Sequence, residues 1–354
     1  MAISNKNTNK TYQWAIVGAG PAGLASLGLL LDQGINSSEI IWIDPNFKVG
    51  DFGQKWGEVS SNTSVKLFLK FLTDIQSFDY QNRPSQFKLD TLNENGFSQL
   101  KEVAKPLQWV TDHLRDKINT VCTKVTHQFV ENGTWHLETN QGVFKAEKVI
   151  LATGSNAKSL QMQNNIEEID LSISLTPSRL KEKISNKDTI AVFGSSHSAM
   201  IIIKNLLDQG AKKVINFYLS PLRYALNMGD WILYDNTGLK GETAKWTREN
   251  ISKQLHPQVK RYLSTKEQIS QHLGQCNKAV YAIGFDQRTP KVDNINLKEY
   301  DTSSGIIAPG LFGAGIAFPR QVTDPNGNKE LNVGLFKFMN DINQVLPIWM
   351  NYGL

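Results

Sequence analysis

The feature that most constrains the fold is an apolar run that breaks into glycines and restarts as an apolar helix. Trp14-Ala-Ile-Val17 leads into Gly18-Ala-Gly-Pro-Ala-Gly23, and mostly apolar helix formers follow as far as Gly34. This reads as a buried strand, a tight turn and a helix, with Gly34 just past the helix end. Ile40-Ile-Trp-Ile43 supplies a second buried strand, closed by Asp44. Strand, helix and strand in that order form one βαβ unit. The pattern returns at Thr189-Ile-Ala-Val-Phe193, Gly194-Ser-Ser-His-Ser-Ala199, an apolar helix over 200–207, Gly210 and a strand over 213–218. The chain is thus expected to be an α/β protein with two such units.

Each glycine of the first fingerprint has its own task. Gly18 permits the tight turn, Gly20 lets the backbone approach a pyrophosphate, and Gly23 lets helix and strand pack closely. The phosphates then rest on the helix N-terminus beside Pro21 and Ala22. Asp44 can accept hydrogen bonds from both ribose hydroxyls of an adenosine; the plainer reading is a surface aspartate after a structural turn. In the second fingerprint Gly194 keeps the turn, and Ser195, Ser196, Ser198 and Ala199 are small enough for close approach. The strand that follows ends without an acid to grip a free 2′-hydroxyl, which favours NADPH over NADH. Arg223, with Ser220, can meet the 2′-phosphate in fork geometry, or can be a solvated loop arginine. His197 at a helix start suits capping or phosphate contact better than base catalysis, because the local positive field opposes its protonation.

Between the fingerprints, residues 106–119 carry apolar residues at helical spacing, and 121–130, 134–139 and 143–151 alternate as strands joined at Asn132-Gly133 and Gln141-Gly142. Residues 224–264, with Trp231, Tyr234, Trp246 and Tyr262 among glycines and charges, look like an inserted lid rather than sheet, and 332–344 read as a last long helix. The chain has 354 residues, 40% of them apolar, which excludes disorder and a stapled miniprotein and suggests about two domains. Its net charge of +5 is scattered, which reads first as a solvated surface and second as a preference for small anionic ligands, and nucleic acid is not expected. Its two cysteines, Cys122 and Cys276, form no CxxC. No apolar run approaches a membrane span and the first residues are polar, so a cytoplasmic protein off the membrane is expected, with a homodimer left open.

Together these residues resemble the two-dinucleotide-domain flavoproteins, a group that includes thioredoxin-reductase-like enzymes and the flavin-containing (class B) monooxygenases. Ile150-Leu-Ala-Thr153-Gly154 is similar to the ATG linker that leaves an FAD domain. Residues 281–290 resemble the return crossing, and Gly310-Leu-Phe-Gly-Ala-Gly315 resembles the GLFAAGD segment beside the flavin ribityl chain. Ile316 stands where the disulfide reductases carry an aspartate. The resemblance implies two three-layer ββα, Rossmann-like domains: an FAD domain split between 1–155 and 286–354, and an NAD(P)H domain over 156–285. It also implies that a helix starting near Asn332, Val333 and Gly334 points at the flavin pyrimidine, or serves as an ordinary docking helix.

Three segments resemble the monooxygenase branch. Gly50-Asp-Phe-Gly-Gln54-Lys55-Trp56, after Asp44 and Pro45, is similar to its GGxW loop, with a core aromatic as the other reading of Trp56. Ser61-Asn62-Thr63-Ser64 is similar to its TNTS segment, whose neutral asparagine amide faces the oxygen-reacting side of the flavin; a turn-forming asparagine is the alternative. Residues 194–199 match GxSxS(A/G). The chain departs from this branch in having no histidine over 155–187, where its FxGxxxHxxxY fingerprint belongs. The expectation is an FAD enzyme of the flavin monooxygenase type that takes a hydride from NADPH and acts on a small organic substrate, with Asn62 as the catalytic residue and no metal. The alternatives are a reductase of a quinone or carrier protein without a thiol relay, and a non-catalytic flavin- or nucleotide-binding sensor.

Overall fold

A computed structural model describes residues 10–160 and 166–354. Among these, most strands fall into two sheets. The larger has Thr11–Val17 at its centre, flanked in parallel by Ile40–Ile43 and by Gly142–Leu151; Asn119–Val121 extends it beyond the former. Antiparallel hairpins continue it through Thr134–Thr139 and Val125–Glu131, and Leu311–Gly313 returns from late in the chain to lie parallel to Gly142–Leu151. The smaller sheet is parallel throughout, in the order Val259–Leu263, Lys213–Tyr218, Thr189–Phe193, Lys278–Tyr281, Glu167–Glu168. Both centres are strands of aliphatic and aromatic residues buried on two faces, as a parallel sheet covered by helices requires.

Helices Pro21–Asp32, Val65–Asp74, Leu100–Arg115 and Leu335–Asn351 cover one face of the large sheet, burying Leu24, Leu27, Phe71, Leu107 and Leu346 in one cluster. Helix His197–Asp208 does the same for the small sheet with Ile202, Ile203 and Leu206. The two centres repeat each other bond for bond. Gly18 N–H donates to Ile43 O and Ala152 N–H to Val17 O, both at 2.8 Å; Gly194 N–H donates to Phe217 O and Ala282 N–H to Phe193 O, again at 2.8 Å.

Three sequence expectations change. The helix expected over 106–119 begins at Leu100, contains Pro106 and ends at Arg115: the expected span opens on a proline, a residue favoured in a first turn, but here the proline is tolerated inside a longer helix held by buried Val103, Leu107 and Val110. The last helix begins at Leu335, after Gly334 at φ +147°, and runs past Pro347 to Asn351. Finally, 224–264 is not all insertion: Val259–Leu263 is the edge strand of the small sheet, and its adjacent charges, Lys260 and Arg261, break the alternation that marks a strand, which an edge position tolerates. What remains is a two-stranded pair, Leu226–Asn227 with Ile232–Leu233, and helix Gly241–Thr247, which continues as a π-helical turn over Arg248–Lys253. No described helix is long and apolar enough to cross a membrane.

Candidate functional site

The first glycine turn is built by close approach. A Cβ at Gly18 would stand 2.2 Å from Ala152 O, and one at Gly23 would stand 2.0 Å from Gly18 O, so both positions exclude any side chain. Gly20, the N-cap of Pro21–Asp32, is the opposite case: a Cβ there would meet nothing within 4 Å. Its open side lies before a helix N-terminus with proline at N1, the place where backbone and dipole favour an anion. Two later segments close around this turn. Gly50 lies so near that its Cβ would be 3.2 Å from Gly20 Cα, and a Cβ at Gly315 would be 2.6 Å from Ala22 Cβ. Thr153 Oγ1, beside Gly154, is buried without a partner. Gly154 itself has φ +74° and accepts a hydrogen bond from the Arg288 N–H at 2.9 Å.

Asp44 is buried and already engaged. Its Oδ2 accepts from Ala19 N–H at 2.8 Å, and its Oδ1 from Asn46 N–H at 2.8 Å and Phe47 N–H at 2.6 Å. A carboxylate offers about four lone-pair directions, so one remains for a ribose hydroxyl rather than the room for two read from the sequence. The turn it organises is strained, with Phe47 at φ 50° and β-branched Val49 at φ 57°. Pro45 is exposed, and its carbonyl accepts from the Cys122 thiol.

The strained turn feeds helix Gly50–Lys55, in which Lys55 pairs with Asp51 and the Gln54 amide donates to Gly50 O. Asp51 also pairs with Arg288 at 2.8 Å, and Arg288 in turn holds Ser155 O and the Asn156 side chain. That arginine ties the loop to both crossings between the sheets; it lies inside the return segment singled out in the sequence, but no local pattern marked its partner. Trp56 leaves this helix half-buried and packs, with Val59, against the small sheet's apolar cluster. Asn62 sits on a tight turn pinned to Ser98: Ser61 N–H donates to Ser98 O, Ser98 N–H to Ser61 Oγ, and Ser61 Oγ to Thr63 O. Its own side chain is exposed, and its amide oxygen meets only Thr63 Oγ1, at 3.4 Å.

At the second turn a Cβ on Gly194 would lie 2.3 Å from Ala282 O, matching Gly18. Ser196 is the N-cap of the following helix, Ser198 is its second residue, and Ser195 Oγ lies 3.5 Å from Ser220 Oγ across the neighbouring strand end. His197 is the helix's first residue. Its Nε2 is 3.4 Å from Thr243 Oγ1 and its Nδ1 is buried without a partner. Burial, and then the charge of Lys240, hold its pKa down at about 4. His197 is therefore neutral near pH 7, through burial and the Lys240 charge. Since the imidazole binds a proton less readily folded than unfolded, the folded state loses stability as pH falls from about 6.5 toward 4. His197→Gln should flatten the dependence of Tm on pH across that window; an unchanged slope would mean that other groups carry it.

Arg223 is exposed and stacks on Tyr234 at 5.1 Å, with its carbonyl closing a loop onto Leu239 N–H. Asn332 spends its side-chain amide on Asp341 at 2.9 Å, Val333 N–H donates to Asn236 Oδ1 at 3.2 Å, and Gly334 caps the C-terminal helix. Cys122 follows the edge strand Asn119–Val121 of the large sheet and is exposed, whereas Cys276 precedes strand Lys278–Tyr281 of the small one and is buried, its thiol pKa raised to about 11 by burial. No cluster of metal-ligating residues exists among the described residues.

Two Rossmann-like glycine turns in one chain, each following a central strand with parallel neighbours, define the class of FAD- and nicotinamide-nucleotide-binding flavoproteins. The chain belongs to the pyridine nucleotide-disulphide oxidoreductase family, whose pattern matches residues 15–308. It is 35% identical over 383 aligned positions, covering 95% of this chain and 97% of the other, to the monooxygenase AgnR1 of Paecilomyces divaricatus. It shares its fold with a flavin-containing monooxygenase from Stenotrophomonas maltophilia (12% identity, 97% and 99% of the two chains, TM-score 0.64) and with the bacillithiol disulfide reductase of Staphylococcus aureus (13%, 96% and 99%, TM-score 0.61). It is an FAD-dependent oxidoreductase close to the class B monooxygenases. The open side of Gly20 and the unpartnered Thr153 hydroxyl fit a dinucleotide at the first turn.

Proposed function

We propose that the chain is a monooxygenase that uses NADPH to act on a small organic substrate. In this reading residues 1–155 and 286–354 hold FAD and 156–285 hold the nicotinamide nucleotide. What carries it is the near full-length likeness to a protein named as a monooxygenase. The exposed, weakly engaged amide of Asn62, on a turn fixed by Ser61 and Ser98, agrees with it. A bound flavin would supply the chemistry, taking a hydride from the nicotinamide and delivering two electrons to dioxygen, of which one atom enters the substrate and the other leaves as water. The protein's part is to stack the two rings, exclude water and present a neutral amide that donates a hydrogen bond without delivering a proton. Thr153 and the Gly18–Gly23 turn hold the first nucleotide, and Ser195, Ser196 and His197 face the second.

The separation of Cys122 from Cys276 favours oxygenation over a thiol relay. Substrate-dependent oxygen consumption with NADPH would support the reading, and flavin reduction with no oxygen transferred to any compound would turn it toward a reductase. Without added substrate, Asn62→Ala should release hydrogen peroxide at least about tenfold faster at an unchanged rate of flavin reduction, a barrier lowered by about 1.4 kcal/mol. Equal peroxide release would remove Asn62 from the reaction.

A further inference from the structure

Residues 223–241 leave the small sheet's unit and grip the large one. The stem is closed by two backbone bonds, Leu239 N–H to Arg223 O at 2.8 Å and Ala225 N–H to Leu239 O at 3.0 Å, and Leu239 is fully buried in the small unit's cluster. The tip folds back on itself through Gly238 N–H to Tyr234 O. There Tyr234 holds φ 54°, a conformation an aromatic residue keeps only where its surroundings enforce it.

The enforcement comes from the other unit. Glu330, which is buried, accepts from Asn236 N–H at 3.0 Å and from the Thr237 hydroxyl. Asn236 Oδ1 accepts from Val333 N–H at 3.2 Å and from Lys337 Nζ at 2.7 Å, while Asp235 sits between Lys337 and Lys240. A second footing is the Phe97 ring, 3.2 Å from where a Cβ on Gly241 would be. Lys337 is a costly residue in this place: it lies in the first turn of the C-terminal helix, whose positive end repels it, and burial lowers its pKa. An acid and an amide from the other unit offset that cost, so the cation and the tip depend on one another.

We propose that Asn236, Thr237 and Glu330 are positioning residues of a strap that holds the two Rossmann-like units in the mutual orientation hydride transfer needs. The inference rests on the reading that the two cofactors sit on different units. Hydride transfer is steep in distance and angle, so two rings carried by separate sheets need the sheets fixed to one another. The strap does this at the head of the C-terminal helix, where it meets Val333 N–H beside the capping Gly334.

Two arms test it. In hydrogen exchange on the cofactor-free chain, the Asn236→Ala/Glu330→Ala double variant should lose at least tenfold of the protection over 235–241 and 329–334 while 11–17 and 213–218 keep theirs. Glu330→Gln, which retains an oxygen facing Asn236 N–H, should restore most of it. In rapid mixing at saturating NADPH, the double variant should reduce its flavin at least tenfold more slowly, with FAD content and affinity for 2′,5′-ADP within twofold of the parent, a fall in kcat without a change in KM. Unprotected amides over 235–241 in the parent, or lost protection with an unaltered reduction rate, would overturn the strap. A parent chain that binds FAD but is reduced by neither nucleotide would sink the functional reading instead, and the exchange arm would still judge the contact itself.

Discussion

Gly23→Ala should cost the protein about 3 kcal/mol or more and most of its bound FAD, whereas Gly20→Ala, three residues away, should fold normally and lose only the cofactor. The first methyl would stand 2.0 Å from Gly18 O and 2.9 Å from Gly18 C. Both are backbone atoms of a turn already locked by Ile43 and Ala152, so no side chain can swing aside and the helix must lift from the sheet. The second methyl meets nothing within 4 Å, on a residue whose φ of −77° alanine adopts freely, at a stability cost under about 1 kcal/mol. It occupies the space through which a phosphate reaches the helix N-terminus, so FAD affinity should fall at least tenfold, about 1.4 kcal/mol. Thermal unfolding together with flavin content of the purified variants separates the two. If Gly20→Ala keeps full affinity, the phosphates lie elsewhere; if Gly23→Ala melts with the parent, the helix has more freedom than the packing shows.

That contrast marks what the sequence makes legible. Both glycine turns, their strands and their helices are readable because each is a local arrangement whose parts are neighbours in the chain: apolar run, glycines, apolar helix. The repetition at Gly194 is readable for the same reason. What escaped is long-range. The carboxylate of Asp44 is visible, but not that three backbone N–H groups already occupy it. Arg288 stands in the return crossing, yet its pairing with Asp51 joins residues 237 positions apart in the chain. The strap is hidden twice over: its tip looks like an ordinary polar turn, and its anchors Glu330 and Lys337 look like solvated charges until folding brings them together. Even the edge strand Val259–Leu263 was obscured because a strand with a single neighbour tolerates charges that a central one does not. The helix boundary at Pro106 is misplaced because a proline reads locally as a helix start, whereas burial of Val103 and Leu107 carries the helix back to Leu100.

Asp44→Ala should be the severest single change outside the glycines. Ribose binding alone would predict an affinity defect in a stable protein. The carboxylate, however, is the acceptor for Ala19, Asn46 and Phe47 N–H, and the variant leaves those donors without it. Ala19 and Phe47 are buried, and a buried donor left unpaired costs about 1–3 kcal/mol. The Phe47 and Val49 backbones, at φ 50° and 57°, would then relax toward ordinary conformations, and Gly50, which sits against Gly20, would move with them. The expected loss is about 3–5 kcal/mol of stability, with FAD binding abolished as a consequence of the collapsed turn rather than of one missing ribose contact. Asp44→Asn discriminates between the two roles: its oxygen can still accept from Asn46 and Phe47, but its amide group opposes Ala19 N–H, so it should recover roughly half the stability. Urea unfolding of the three cofactor-free proteins measures this directly. Equal stability of all three would return Asp44 to a purely ribose-binding role, whereas the graded series would show that the residue at the strand end builds the turn before it touches a ligand.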